Sequence, residues 1–206
     1  MTRAYQNLDG VDLLSKIRSR SIRHIILNAF LLVLFAWFIL MMLRSMAESF
    51  SEYWFFLFFA PVFVLMLILP VAAIRKHFTN YQLGDQHPLF QKYGTPNEIA
   101  AVLTDLDNVE LLNSRKVILT KSYIMMRDVF LSYLPLNDLT EIAVTSSYGK
   151  HKSAVITVQT IDGEKVKYML ETPPLFKTVY QQKQEIRTIL YEIRPMSMPN
   201  CIISGT

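Results

Sequence analysis

Residues 116–144 read KVILTKSYIMMRDVFLSYLPLNDLTEIAV, and the fold turns on how this stretch is read. Its apolar residues come in short runs rich in β-branched and aromatic side chains: KVILT, YIMMRD, FLSYLPL and LTEIAV. The runs are cut at Lys121-Ser122, Asp128-Val129 and Asn137-Asp138. Brief runs bounded by turn-forming pairs suit pleated, half-buried strands, whereas a helix needs apolar positions every three or four residues over a longer stretch. The stretch is therefore expected to form successive strands of an antiparallel meander.

Toward the C-terminus the pattern continues through SAVITVQTI and EKVKYMLE, separated by turns at Tyr148-Gly149-Lys150-His151-Lys152 and at Ile161-Asp162-Gly163-Glu164. The second turn is the sharper signal, because Asp-Gly favours the positive φ angles of a two-residue hairpin. Thr172-Pro173-Pro174 ends the sheet. A helix is expected from Leu175 to Ile193, with Leu175, Val179, Ile186, Ile189, Leu190 and Ile193 as its apolar stripe. Lys183, Glu185, Arg187 and Glu192 are expected to face water; Arg194-Pro195 should stop the helix, leaving 196–206 as a flexible tail. Toward the N-terminus, His87-Pro88 opens a short helical turn that Gly94 closes. Thr95-Pro96-Asn97-Glu98 then supplies a cap, a proline at the first helical position and a capping-box glutamate. Ile99, Val102, Leu103 and Leu106 fall on one face of that helix. These pieces delimit a domain over 86–195.

Farther upstream the composition changes. The chain is 51% hydrophobic and 18% charged, a balance tilted away from an ordinary water-soluble protein. Residues 24–43 (HIILNAFLLVLFAWFILMML) and 53–74 (YWFFLFFAPVFVLMLILPVAAI) carry no Asp, Glu, Lys or Arg, and about 20 helical residues cover ~30 Å. Tyr53 and Trp54 suit the water interface. The connector RSMAESFSE is too short for a domain, so 24–76 is expected to form an antiparallel transmembrane hairpin with both tails on one side. Lys16, Arg18, Arg20 and Arg23 precede the first span, and Arg75 and Lys76 follow the second; positive flanks mark that side as cytoplasmic. A single cysteine, Cys201, suits a reducing compartment. Residues 1–23 read as a basic amphipathic segment, with Leu8, Val11, Leu14, Ile17 and Ser21 at near-helical spacing and anionic headgroups as partners of its cations. Asn28, Pro61 and Pro70 are the only residues in the spans that suggest a transport path, and without a buried ionisable group an anchor is the better reading.

The order of strands followed by one amphipathic helix resembles the bacterial pleckstrin-homology-like (PH-like) domains attached to short membrane-helix hairpins. The resemblance runs from Leu111 to Ile193 and is strongest at the Leu-Thr strand end, Leu119-Thr120, and at the step Pro135-Leu136-Asn137-Asp138-Leu139. His87-Pro88-Leu89 and Tyr93-Gly94-Thr95-Pro96 also resemble segments that precede the sheet in small bacterial membrane proteins. The resemblance implies an α+β chain: a two-helix transmembrane hairpin followed by a PH-like antiparallel β domain with a C-terminal amphipathic helix, in a bacterial cell membrane. Phosphoinositide binding in eukaryotic relatives implies a basic cluster at the first hairpin. Here Lys116, Lys121 and Arg127 are scattered, and no binding residue carries over.

Residues 1–76 hold 8 basic and 4 acidic residues, and 77–206 hold 13 of each. A neutral C-terminal part argues against nucleic acid, which needs a basic face. No Gly-rich phosphate loop occurs among six glycines, Asp105-x-Asp107 reads as a helix end, and His77 and His87 lack partners at ligand spacing. His151 sits in a loop far in sequence from Cys201. The expectation is a non-enzymatic, cofactor-free, membrane-anchored interaction protein with a bilayer and a protein partner. The other class weighed is a lipid or envelope sensor touching anionic headgroups; no small-molecule substrate is indicated.

Overall fold

A computed structural model of the chain describes residues 5, 8–46, 50–112, 114–147, 152–173 and 178–204, the side chains of 45, 46 and 50–59 excepted. The 47–49 part of the connector, the turn residues 148–151, Leu175 and the side chains of Tyr53 and Trp54 lie outside that description. The chain is a mixture of helix and sheet in two compact units, one made of residues 14–87 and the other of 1–13 together with 88–206.

The helical unit contains most of α1 (Gly10–Met46) and all of α2 (Phe50–Leu83), closed by a 3₁₀ turn at Gly84–Gln86. Both helices are long and apolar enough to cross a membrane, and their apolar windows are almost entirely exposed, with 0% and 11% of the residues buried. A core helix of a soluble protein hides such a window; these display it. The basic segment and the first apolar run, expected as separate pieces, form one uninterrupted helix. Of the expected stripe Leu8, Ile17 and Ser21 are buried and Leu14 is half-buried, while Val11 is 75% exposed and Leu13 is buried beside them. Asn28 donates its amide to the His24 carbonyl 2.8 Å away, which satisfies it within its own helix. Pro61 and Pro70 sit inside α2.

The other unit begins with α3 (Pro88–Tyr93) and α4 (Pro96–Thr104). Gly94 separates them at φ 108, and Thr95 and Glu98 close the anticipated capping box. Ile99, Ala100 and Leu103 are buried, but α4 ends before Leu106, which is 63% exposed. Six antiparallel strands follow where the runs of β-branched residues lie: β1 (Val117–Leu119), β2 (Tyr123–Met126), β3 (Val129–Pro135), β4 (Leu139–Ser146), β5 (Ala154–Thr160) and β6 (Lys165–Met169). They are not one continuous meander. A 3₁₀ turn at Leu136–Asp138 breaks the ladder, giving a sheet ordered β1-β2-β3 and another ordered β6-β5-β4-β7, in which β7 is Ile202–Ser204. The hairpin lies at the expected place, but its connection runs over residues 161–164 rather than two, and of the Asp-Gly pair only Gly163 takes positive φ, 81.

Two corrections concern the C-terminal end. α5 (Val179–Ser197) runs through Pro195, capped by Thr178 and Gln181, and Lys183 on it is buried rather than facing water. A proline in the last turn removes one backbone donor. The Met198 amide still bonds the Arg194 carbonyl at 2.9 Å, and Met198 packs into the core. The expected flexible tail is instead β7 (Ile202–Ser204), paired parallel to β4 through Glu141, Ile142 and Ala143. Cys201 is 1% exposed, and burial pushes its thiol pKa up. One hydrophobic core joins both sheets to α5, with Leu119, Ile124, Ile156, Tyr168, Ile186 and Leu190 among its members.

Candidate functional site

A groove of about 390 Å³ opens in the β-rich unit where the end of α4, the β1–β2 turn, β3 and the end of α5 meet. Local sequence shapes each wall. Thr120 Oγ1 accepts from the amides of Ser122 and Tyr123 at 3.2 and 3.1 Å, folding the tight turn that presents Lys121. Leu136 N donates to the Ser122 carbonyl at 2.9 Å, tying that turn to the step between the sheets. At the end of α4, Asn108 donates to the Val102 carbonyl at 2.9 Å, and Asp105 accepts from the Asp107 amide at 3.1 Å. The Asp105-x-Asp107 pair is thus a helix-end turn. Met196, 78% exposed, and Ser197 complete the groove from α5.

The lining mixes apolar surface from Val102, Tyr133, Pro135 and Met196 with polar groups from Lys121, Asp105 and Asn137. Such a volume is toward the small end for ligand pockets, and its mixed lining suits a side chain or short extended segment. Among the described residues no group of three or more His, Cys, Asp or Glu is placed to hold a metal ion.

A second cluster fixes the junction between the sheets. The Tyr93 hydroxyl donates to Asp138 at 2.7 Å, and the Lys92 ammonium lies 3.1 Å from the same carboxylate while also pairing with Asp162. Burial, then the bond to Asp138, pushes the Tyr93 phenol up to about 12. The Asp162 carboxylate of the β5–β6 turn is thereby held against the step that starts β4. Asp138 and Glu141 serve structure: Glu141 accepts from Ser204 of β7 at 2.8 Å.

No protein-family model, curated protein or solved structure matches the chain.

Of Lys116, Lys121 and Arg127, which the sequence reads as scattered, Arg127 is committed to an ion pair. Arg127 donates to Glu110 at 2.7 Å and to the Ser114 carbonyl at 3.0 Å, and that bond to Glu110 raises its pKa further. Beside it, Asp128 adopts φ 60, a conformation Asp tolerates better than most residues. Its amide donates to the Tyr5 hydroxyl at 3.0 Å, that hydroxyl donates back to the Asp128 carboxylate at 3.3 Å, and the Tyr5 ring packs 5.2 Å from Phe130. Burial pushes the Tyr5 phenol up to about 12. Gly10 N donates to Asn97 Oδ1 at 3.1 Å, and a Cβ at Gly10 would collide with that side chain. Sequence reasoning missed Tyr5 and Gly10 because their partners are 123 and 87 residues away.

Of the six membrane-flanking cations, Lys16, Arg18, Arg23, Arg75 and Lys76 are exposed and Arg20 is half-buried. The Arg18 guanidinium lies over Gly84, which takes φ 51. His24 and His77 stack with ring centroids 4.5 Å apart and planes 9° from parallel. His77 has no local ligand partner; its neighbour comes from the other helix.

Proposed function

We propose that this chain is a membrane-anchored scaffold of non-enzymatic type, whose PH-like β domain is presented to a protein partner at the cytoplasmic face of a bacterial cell membrane. The observation that carries the functional reading is the groove beside the end of α5, with Met196 standing out of it and Lys121 and Asp105 on its walls. An apolar anchor residue with one cation and one anion nearby suits a peptide, which brings both side-chain bulk and polar backbone. Arg127, tied to Glu110, is poorly disposed to serve a headgroup, which weighs against the sensor alternative for this domain.

The anchoring part of the reading is a hairpin over 24–43 and 53–74. It is supported by two ring contacts, His24 with His77 and Phe38 with Phe63, the latter at 6.2 Å. Moving from His24 to Phe38 advances along α1 by the same interval that moving from Phe63 to His77 advances along α2, so the two contacts run in opposite senses. It is further supported by Tyr5 and Gly10, which precede the 24–43 run yet bond Asp128 and Asn97, which follow the 53–74 run. Residues joined by hydrogen bonds share one side of any bilayer. Two antiparallel sheets followed by α5 are compatible with a PH-like domain.

The test is photo-crosslinking from Asn137, exposed on the groove wall, in the full chain within its native membrane. A discrete protein adduct that disappears when Met196 is changed to Asp is the expected result; adducts to lipid alone would replace this reading with the sensor. Reporter fusions at Ser49 and Thr206 check the topology, with the Thr206 fusion expected inside.

A further inference from the structure

We infer that the helix pair holds an anionic phospholipid headgroup at the level where His24 and His77 stack. The inference rests on the membrane-spanning reading above but concerns a different surface from the groove. Stacking of the two imidazoles brings the cations of both helices to one place: Arg20 lies one turn before His24 on α1, and Lys76 adjoins His77 on α2. Burial lowers the His77 pKa, and the positive charges of His24, Lys76 and Arg20 lower it further. Arg23 and Arg75 flank the same level. Over residues 14–24 and 75–87 the chain carries six basic residues and one acidic residue, Asp85, so side-chain pairing inside this unit leaves positive charge over.

His24 is the first residue of the 24–43 run and His77 lies just beyond the 53–74 run, which puts the cluster at headgroup depth. The anion most abundant at that depth is a lipid phosphate. Basic pockets between membrane helices bind headgroups on this principle. Each imidazole adds an N–H donor when neutral and two when protonated, and a phosphate oxygen accepts from such donors as it does from arginine and lysine. Two protonated imidazoles stacked face to face repel one another; a phosphate offsets that repulsion, so headgroup binding strengthens as pH falls.

The experiment reconstitutes the full chain in phosphatidylcholine vesicles carrying a trace of spin-labelled phosphatidylglycerol or spin-labelled phosphatidylcholine. It compares the fraction of each label immobilised by the protein. Phosphatidylglycerol suits because its phosphodiester keeps one charge throughout the titration. We expect a preference of about fivefold per engaged cation, lost in R20Q/K76Q and retained in R20K/K76R. Lowering pH from about 8 to about 5.5 is expected to raise the preference, and H24Q/H77Q to abolish that rise. Equal immobilisation of the two lipids by the unmodified chain overturns the inference. Extraction at alkaline pH, run in parallel, separates the two failures: a chain stripped from vesicles overturns the spanning reading, and a retained chain without lipid preference overturns the headgroup site alone.

Discussion

In the β-rich unit Leu119, Ile156 and Leu190 are wholly enclosed, whereas in α1 Phe30, Val33 and Leu40 are 63%, 68% and 64% exposed. The side chains are of one kind and their placement is opposite. Burial away from water stabilises the first set, at ~1.5–3 kcal/mol for each enclosed side chain, while the second set contributes nothing in water and needs another surrounding to be tolerated. The difference teaches that this chain carries two solvents' worth of design, and that the mean composition describes neither part.

The contrast is sharpest when one apolar side chain is shortened in each region. Ile156→Ala should destabilise the β-rich unit by about 2–5 kcal/mol, and Leu40→Ala should change it by less than about 0.5 kcal/mol. Near-ultraviolet circular dichroism of the full chain in mild detergent during denaturation reads both. Equal effects would break the comparison.

Removing residues 198–206 takes Met198 and Cys201 out of the core and strips β7 from β4. A loss of about 3 kcal/mol is expected, with faster amide exchange at Glu141–Ala143. Unchanged exchange there would return the tail to the flexible appendage that the sequence suggests.

Tyr5→Phe keeps the ring against Phe130 but deletes the hydroxyl that bonds Asp128, for an expected cost of about 1 kcal/mol. The Asp128 amide should then exchange faster while amides of β5 do not. If nothing at Asp128 moves, the N-terminal segment is not fastened where the hydrogen bonds indicate.

The smallest effect concerns pH. Burial would raise the Glu171 carboxyl, but bonds from Ser114 Oγ at 2.7 Å and from the Arg115 amide at 3.0 Å outweigh it and hold its pKa below the usual value. A depressed folded-state pKa gives stability that is complete above the unfolded carboxyl value and fades as pH drops through the folded one. Glu171→Gln should therefore be less stable than the unmodified chain at neutral pH by under about 1 kcal/mol, with the gap closing in acid. A gap that widens in acid would contradict the assignment.

What the sequence disclosed follows the range of each interaction. The capping box at Thr95 and Glu98, the Asp-Gly turn at Gly163 and the six β-branched runs rest on contacts within a few residues, and each appears where its pattern lies. β7 did not disclose itself because Ile202–Ser204 is too short to show alternation, and its partner is a distant strand in parallel pairing. Pro195 signals a stop locally, yet the burial of Met198 beyond it favours carrying α5 to Ser197. Two residues of the groove, Met196 and Ser197, lie in the segment that the sequence reads as tail. His24 with His77, and Tyr5 with Asp128, are pairings that no local spacing encodes.

The fastening of Tyr5 to Asp128 also sets a timetable for biogenesis. Synthesis proceeds from the N-terminus, and Tyr5 is made 123 residues before its partner, an interval of roughly 6–25 s at ribosomal speed. During that interval both apolar helices have been translated, and the Tyr5 hydroxyl awaits Asp128. Among the described strands β7 is synthesised last, so β4 gains this neighbour after the other strands have been made. Closure of the β-rich unit around Tyr5 therefore follows synthesis of both apolar helices.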